Sequence, residues 1–72
     1  MWTSADLDRF AQLVDMLTGI FLNEKAARIR IVGYQHAVEA YDPRSVCAVL
    51  EDALHTAHCM PLPCDILQAL LH

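Results

Sequence analysis

A chain of 72 residues is long enough for one domain and lies near the lower limit for a self-supporting hydrophobic core. Hydrophobic residues make up 56% of it, which argues against intrinsic disorder, and a net charge of −4 argues against direct nucleic-acid binding. Three cysteines, no signal-peptide pattern and no apolar run of membrane-spanning length indicate a cytoplasmic protein with reduced thiols. We expect one domain, residues 1–72.

The first predicted helix covers residues 4–20. Thr3 or Ser4 can cap it, and Asp6, three residues after Thr3, approximates a capping box. Apolar residues recur at intervals of three and four positions, which indicates one buried face. This face consists of Phe10, Leu13, Val14, Leu17, Ile20 and Phe21.

The second predicted helix covers residues 24–40, with Asn23 as its N-cap. Its predicted buried stripe consists of Ala27, Ile31, Tyr34, Val38 and Tyr41. Gly33 costs about 1 kcal/mol relative to alanine in a helix interior, so we expect another helix to approach closely along this side. Ile29 and Val32 fall outside the stripe, and the pattern leaves open whether the last helix covers them.

The third and fourth predicted helices cover residues 43–59 and 63–71. Asp42 is the expected N-cap of the third helix, and Pro43 occupies its first position, where a missing amide costs nothing. Two prolines, Pro61 and Pro63, separate it from the last helix. No segment alternates as a strand would. The predicted fold is therefore all-α, a compact bundle of about four short helices.

The segment around the end of the third helix contains the best candidates for metal ligands. Predicted on one helix face are His55, His58 and Cys59, and Cys64 follows across the proline loop. Two thiolates with imidazoles could form a tetrahedral zinc site. The spacing lacks the CxxC pair of zinc motifs, the histidines follow a polar face, and Cys47 and Cys64 are typical of small buried hydrophobes. We predict no metal and no cofactor.

Catalytic arrangements are also poorly supported. Cys59 follows His55 by four residues, but a helix surface offers no oxyanion hole and no third orienting group is apparent. The adjacent acids Glu51 and Asp52 diverge around a helix, and no glycine-rich phosphate loop is present. We predict that the protein is not an enzyme and has no catalytic residue.

The candidate function is protein binding. Lys25 and Arg28, with Arg30 on a neighbouring line, form a small basic patch, either a solvated face or a dock for an acidic partner. Trp2 either staples the first helix or anchors a partner. The predicted partner-binding residues are Trp2, Lys25, Arg28, Ile29 and Val32.

The second half of the chain has a distinctive layout. An aromatic residue in the second helix is followed by an aromatic–Asp–Pro break, a helix of the form V-x-x-V/A-L, and a proline-framed entry into a short helix containing Asp-Ile. This layout resembles the N-terminal helical domain of phage-type replicative helicase loaders and inhibitors, and it covers about half of the chain. The matching residues are Tyr34, Tyr41, Asp42, Pro43, Val46, Leu50, Pro61, Pro63, Asp65 and Ile66.

The resemblance implies an adaptor without an ATPase site of its own. It would bind a hexameric DnaB-like replicative helicase or its loader during phage DNA replication, in the cytoplasm of the bacterial host. Proteins of that family usually use a flexible C-terminal region to help engage the helicase, so the resemblance assigns no helicase-contact residues to this chain.

Three alternatives stay open. One is a small acidic phage-encoded inhibitor of a host defence or regulatory protein, because an acidic surface can occupy a basic one. A second is a DNA-binding helical module, although Arg44, Glu51 and Asp52 make a poor recognition face. The third is a homodimerising domain, since so small a chain has an excess of apolar residues.

Overall fold

Four α-helices form the fold in a computed structural model that describes residues 2–71. They are α1 (Ser4–Phe21), α2 (Arg28–Val38), α3 (Pro43–Thr56) and α4 (Pro63–Leu71). The described residues contain no strand, and the predicted all-α class and helix number are confirmed. The two ends of the predicted domain, Met1 and His72, lie outside the described residues. The radius of gyration is 11.0 Å, as expected for a compact chain of this length.

The start of α1 is held by a complete capping box. The Thr3 hydroxyl oxygen accepts a hydrogen bond from the Asp6 amide at 3.2 Å, and the Asp6 carboxylate accepts from the Thr3 amide at 3.0 Å. The backbone and hydroxyl hydrogen bonds from Thr3 lower the pKa of the Asp6 carboxyl. These reciprocal bonds satisfy free amides of the first turn, and they confirm Thr3 as the cap.

The core follows most of the predicted face of α1. Its buried hydrophobic residues are Phe10, Leu13, Val14, Leu17, Tyr34, Val38, Val46, Leu50 and Ile66. The prediction for Ile20 is wrong, because its side chain is 60% exposed. The face continues instead through Thr18, whose hydroxyl donates to the Val14 carbonyl at 2.7 Å, and the partly buried Phe21. Ile20 lies about 60° around the helix from Leu17, at the edge of this face.

Asn23 ends α1 and does not begin α2. The Leu22 amide donates to the Thr18 carbonyl at 2.8 Å, and Asn23 follows with a φ of 53°, in the left-handed region that asparagine tolerates after a helix. The Ala26 amide then donates to the Asp15 carboxylate at 2.9 Å, and Ala27 is extended, with a ψ of 148°. These contacts hold the link out of helical conformation, so α2 begins at Arg28, and the predicted start at residue 24 is wrong.

The buried side of α2 is formed mainly by Tyr34 and Val38, as predicted. Ile31 and Tyr41 pack against the core with part of their surface exposed, whereas Ala27 is exposed. The helix ends at Val38, two residues before the predicted end, because the Tyr41 amide donates to the Val38 carbonyl at 2.9 Å and closes a turn.

Gly33 does not mark a close helix approach. The residue is exposed, and a Cβ atom added there would meet no neighbouring atom within 4 Å. Its φ is not positive, so the backbone does not require glycine. The predicted packing role of Gly33 is therefore wrong.

A Gly33→Ala variant is expected to be more stable than the wild type by about 0.4–1 kcal/mol, because alanine loses less backbone entropy on folding and meets no obstruction. The measurement is the midpoint of urea denaturation. Ala48→Gly, at an exposed position inside α3, is the matched control and should shift the midpoint in the opposite direction. A lower midpoint for Gly33→Ala would contradict the expectation.

The four helices are arranged with α2 antiparallel and α3 parallel to α1. At one end the Asp15 carboxylate bonds to Ala26, and at the other the Trp2 indole donates to the Tyr41 carbonyl at 3.2 Å. Arg9 of α1 pairs with Glu51 of α3. α4 packs across α2 and α3, where the Tyr34 hydroxyl donates to the Pro61 carbonyl at 2.5 Å. None of the described helices combines the length and apolar character needed to cross a membrane.

Candidate interaction surface

The side of α2 turned away from the core is exposed along the whole helix. We call it the outer face of α2, and its residues are Arg28, Ile29, Val32, Gly33, His36 and Glu39. Ile29 is 82% exposed and Val32 is 39% exposed. On the opposite side of α2, Tyr34 is buried and bonds to Pro61 in the loop before α4. The sequence leaves open whether the last helix covers Ile29 and Val32, and the structure shows that both side chains are exposed.

The free positive charge of this surface is concentrated at the start of α2. Arg30 Nη1 lies 3.0 Å from Glu24 Oε1, outside hydrogen-bond geometry, so this contact is an ion pair only. Lys25 and Arg28 are exposed and form no ion pair with any residue between positions 2 and 71. The N-cap of α2 makes no side-chain hydrogen bond, so the positive end of the helix dipole adds to these two charges.

The other end of the outer face contains an imidazole beside a carboxylate. His36 Nδ1 lies 3.5 Å from Glu39 Oε2, three positions along the chain. The surface therefore combines an apolar centre, a basic end and an end that contains the His36–Glu39 pair.

Trp2 lies apart from the other four predicted partner-binding residues. Its ring meets Phe10 edge-on, with centroids 5.4 Å apart and planes at 90°, and its indole N–H bonds to Tyr41 beyond the end of α2. Roughly 14 Å of helix, from Ile29 to Val38, separates the two regions. Trp2 is half-buried and joins the start of α1 to the turn between α2 and α3.

The predicted histidine–cysteine face is wrong, because α3 ends at Thr56. Ala57 is extended, with a ψ of 146°, and the Thr56 hydroxyl donates to the Asp52 carbonyl at 2.9 Å. His58 and Cys59 therefore follow the helix and do not share a face with His55. Within residues 2–71, no three His, Cys, Asp or Glu side chains are grouped so as to hold a metal ion.

The other cysteines differ from one another. Cys47 is partly buried, and this burial raises the pKa of its thiol. Cys64 is exposed, so the prediction that it is a small buried hydrophobe is wrong. Cys64 lies in the first turn of α4.

An open groove between α3 and α4 is a feature that the sequence did not predict. Its volume is about 150 Å³. The lining residues are Val49, Asp52, Ala53, Thr56, Ala57, Pro61, Asp65, Ile66 and Ala69. The small side chains of alanines on both helices leave this space open. The positions of these alanines in the sequence do not predict a groove, because it also depends on how α4 is oriented against α3.

Ile20 and Met16, one helical turn apart on α1, form a separate exposed apolar pair. Ile20 lies about 140° around α1 from Asp15, which faces the link to α2. The pair belongs to α1 and is not part of the outer face of α2. It provides an apolar surface of similar exposure for comparison.

Comparison of the chain with protein-family models, with curated proteins and with solved structures gave no match. The function is therefore inferred from the surfaces described above and from the sequence resemblance.

Proposed function

We propose that the protein is a non-enzymatic adaptor that binds a DnaB-like replicative helicase, or its loader, in phage DNA replication. The outer face of α2 makes the contact. One observation carries the proposal: Ile29 is 82% exposed on an otherwise regular helix, beside Val32 and two cations without an ion-pair partner in residues 2–71. Exposed apolar surface rimmed by polar residues is typical of protein-binding sites.

The chemistry of this face fits a protein partner. Burying an isoleucine side chain completely stabilises a complex by about 1.5–3 kcal/mol before the costs of association. Ile29 and Val32 are three positions apart, the spacing with which one helix face enters a groove. Lys25 and Arg28 would orient an acidic partner surface and raise the association rate.

The residues that carry the family resemblance support the fold of this chain. Asp42 accepts the Ser45 amide at 3.3 Å and caps α3, Val46 and Leu50 are buried, and Tyr34 bonds to Pro61. None of these residues belongs to the outer face of α2. Tyr34 is in the same helix but on its buried side. Binding specificity would thus reside in residues that the shared framework leaves free to vary.

The test is an affinity measurement between the full chain and the purified replicative helicase of the host, by pull-down and calorimetry. Ile29→Glu should weaken binding at least tenfold, or about 1.4 kcal/mol, because it places a carboxylate in the apolar centre of the contact. Ile20→Glu is the matched control, an equal change at a similarly exposed isoleucine on α1. Circular dichroism should show that both variants are folded.

Absence of a complex between the wild-type protein and either the helicase or its loader would refute the proposal. Equal weakening by both glutamate variants would show that the contact is not specific to the outer face of α2.

The distribution of acidic residues favours a second candidate function, inhibition of a host defence or regulatory protein. From Ser45 onward the sequence contains Glu51, Asp52 and Asp65 and no lysine or arginine. Asp52 and Asp65 both line the α3–α4 groove, so this side of the molecule could occupy a basic surface. Affinity capture from host lysate distinguishes the candidates, since the recovered protein would be a defence or regulatory protein and not the helicase.

A further inference from the structure

The groove between α3 and α4 has an apolar floor and an acidic rim. Val49, Ala53 and Ala69 contribute alkyl surface, and Asp52 and Asp65 contribute carboxylates from the two opposite helices. Neither carboxylate forms an ion pair with any lysine or arginine in residues 2–71. The nearest arginine or lysine along α3, Arg44, is eight positions before Asp52, roughly 12 Å along the helix, whereas His55 is three positions after it.

The carboxylates are engaged only by local hydrogen bonds. Asp65 accepts the Leu62 amide at 3.0 Å, which caps α4, and Asp52 lies 3.4 Å from the Thr56 hydroxyl. These bonds orient the two side chains and leave both carboxylates without an ion-pair partner in residues 2–71. The two carboxylates would therefore attract a positively charged ligand to the groove.

The size of the groove limits what it can hold. Its volume of about 150 Å³ is smaller than the 300–1,000 Å³ typical of small-molecule and cofactor sites, and is similar to a cavity that holds benzene. A lysine side chain has five heavy atoms beyond Cα, fewer than benzene. Its methylene stem packs on apolar surface while its ammonium donates to acceptors at the end of the stem.

We propose that the α3–α4 groove binds a lysine side chain presented by a segment of a partner protein. The stem would lie on Val49, Ala53 and Ala69, and the ammonium would donate to the Asp52 and Asp65 carboxylates. Arginine would fit less well, because its planar guanidinium is larger than an ammonium. This site is separate from the outer face of α2 and does not depend on the proposed helicase contact.

The test uses nuclear magnetic resonance of the ¹⁵N-labelled full chain, titrated with the peptide acetyl-Ala-Ala-Lys-Ala-Ala-amide. The amide signals of Ala53, Thr56 and Ala69 should shift, and added salt should weaken binding, because the rim is exposed. Replacing the peptide lysine by norleucine keeps the stem and removes the charge, and it should weaken binding at least tenfold.

Matched variants assign the effect to the groove. Asp52→Asn together with Asp65→Asn should weaken peptide binding at least tenfold, whereas Asp8→Asn, at an exposed acid of α1, should leave it unchanged. Asp52→Asn alone removes no backbone cap, so it keeps the test valid if the double variant fails to fold. Shifts confined to other surfaces, no shift at all, or equal affinity for the lysine and norleucine peptides would each overturn the proposal.

Discussion

Replacing Phe10 by alanine is expected to lower the free energy of unfolding by about 3–5 kcal/mol, the range for removing a buried aromatic side chain. Phe10 is fully buried, and its ring is the edge-to-face partner of Trp2. The variant therefore loses apolar burial and this aromatic contact together. A domain of this size has a total stability of roughly 4–11 kcal/mol, so the substitution removes a large part of it.

Urea denaturation followed by circular dichroism and by tryptophan fluorescence measures this effect. Trp2 is the single tryptophan of the chain, so its fluorescence reports directly on the region where Phe10 packs. Ile29→Ala, at a side chain that is 82% exposed, is the control and should change stability by less than about 0.5 kcal/mol. A loss below about 1 kcal/mol for Phe10→Ala would show that α1 does not pack as described.

Ile66→Ala should also be strongly destabilising, by about 2–5 kcal/mol. Ile66 is the one fully buried side chain of α4, which has only nine residues. A helix this short is not stable without packing, so we expect α4 to open locally before the rest of the protein unfolds. The hydrogen bond between Tyr34 and Pro61 precedes α4 and would still hold the end of the loop that leads into α4.

Hydrogen exchange of backbone amides distinguishes this local opening from general unfolding. In the Ile66→Ala variant, amides of α4 should exchange faster than those of α1 and α3. Leu71→Ala, in the same helix at a position 72% exposed, should leave exchange and stability nearly unchanged. Uniform acceleration along the chain would instead mean that α4 and the other helices unfold as one unit.

The helices that sequence reasoning placed best have local start signals. Thr3 and Asp6 form the capping box of α1, and Asp42 with Pro43 begins α3, as predicted from their order alone. Such signals involve residues within one helical turn, so no knowledge of tertiary contacts is needed to interpret them. The α4 bounds were predicted for a similar reason, since Pro63 fits the first position of a helix.

Sequence reasoning failed where two local structures competed. Asparagine suits both the N-cap of a helix and the left-handed position that follows a helix, and Asn23 adopts the second conformation. The hydrogen bond between Ala26 and Asp15, eleven positions apart, is formed in the same link. The end of α3 at Thr56 likewise lacks a glycine or proline signal at that position. The cost of glycine in a helix interior suggests a packing reason for Gly33, but no neighbouring atom lies within 4 Å of a Cβ added there.

The sequence indicates the exposed residues of α2 but does not indicate the α3–α4 groove. Ile29 and Val32 fall outside the helical stripe that must face the core, and Lys25 and Arg28 are the cations of the basic patch beside them. The α3–α4 groove was missed, since its lining comes from two helices whose relative orientation depends on packing in three dimensions. Asp52 and Asp65 are thirteen positions apart, and no helical periodicity relates them.

The parallel arrangement of α1 and α3 has a consequence for synthesis of the chain. Because α3 ends some 35 residues after α1, the apolar side of α1 is made well before the helix beside it is complete. At translation rates of 5–20 residues per second, this interval lasts about 2–7 s. During that time Phe10, Leu13 and Leu17 cannot pack against α3, so the order of translation delays completion of the part of the core that α1 and α3 share.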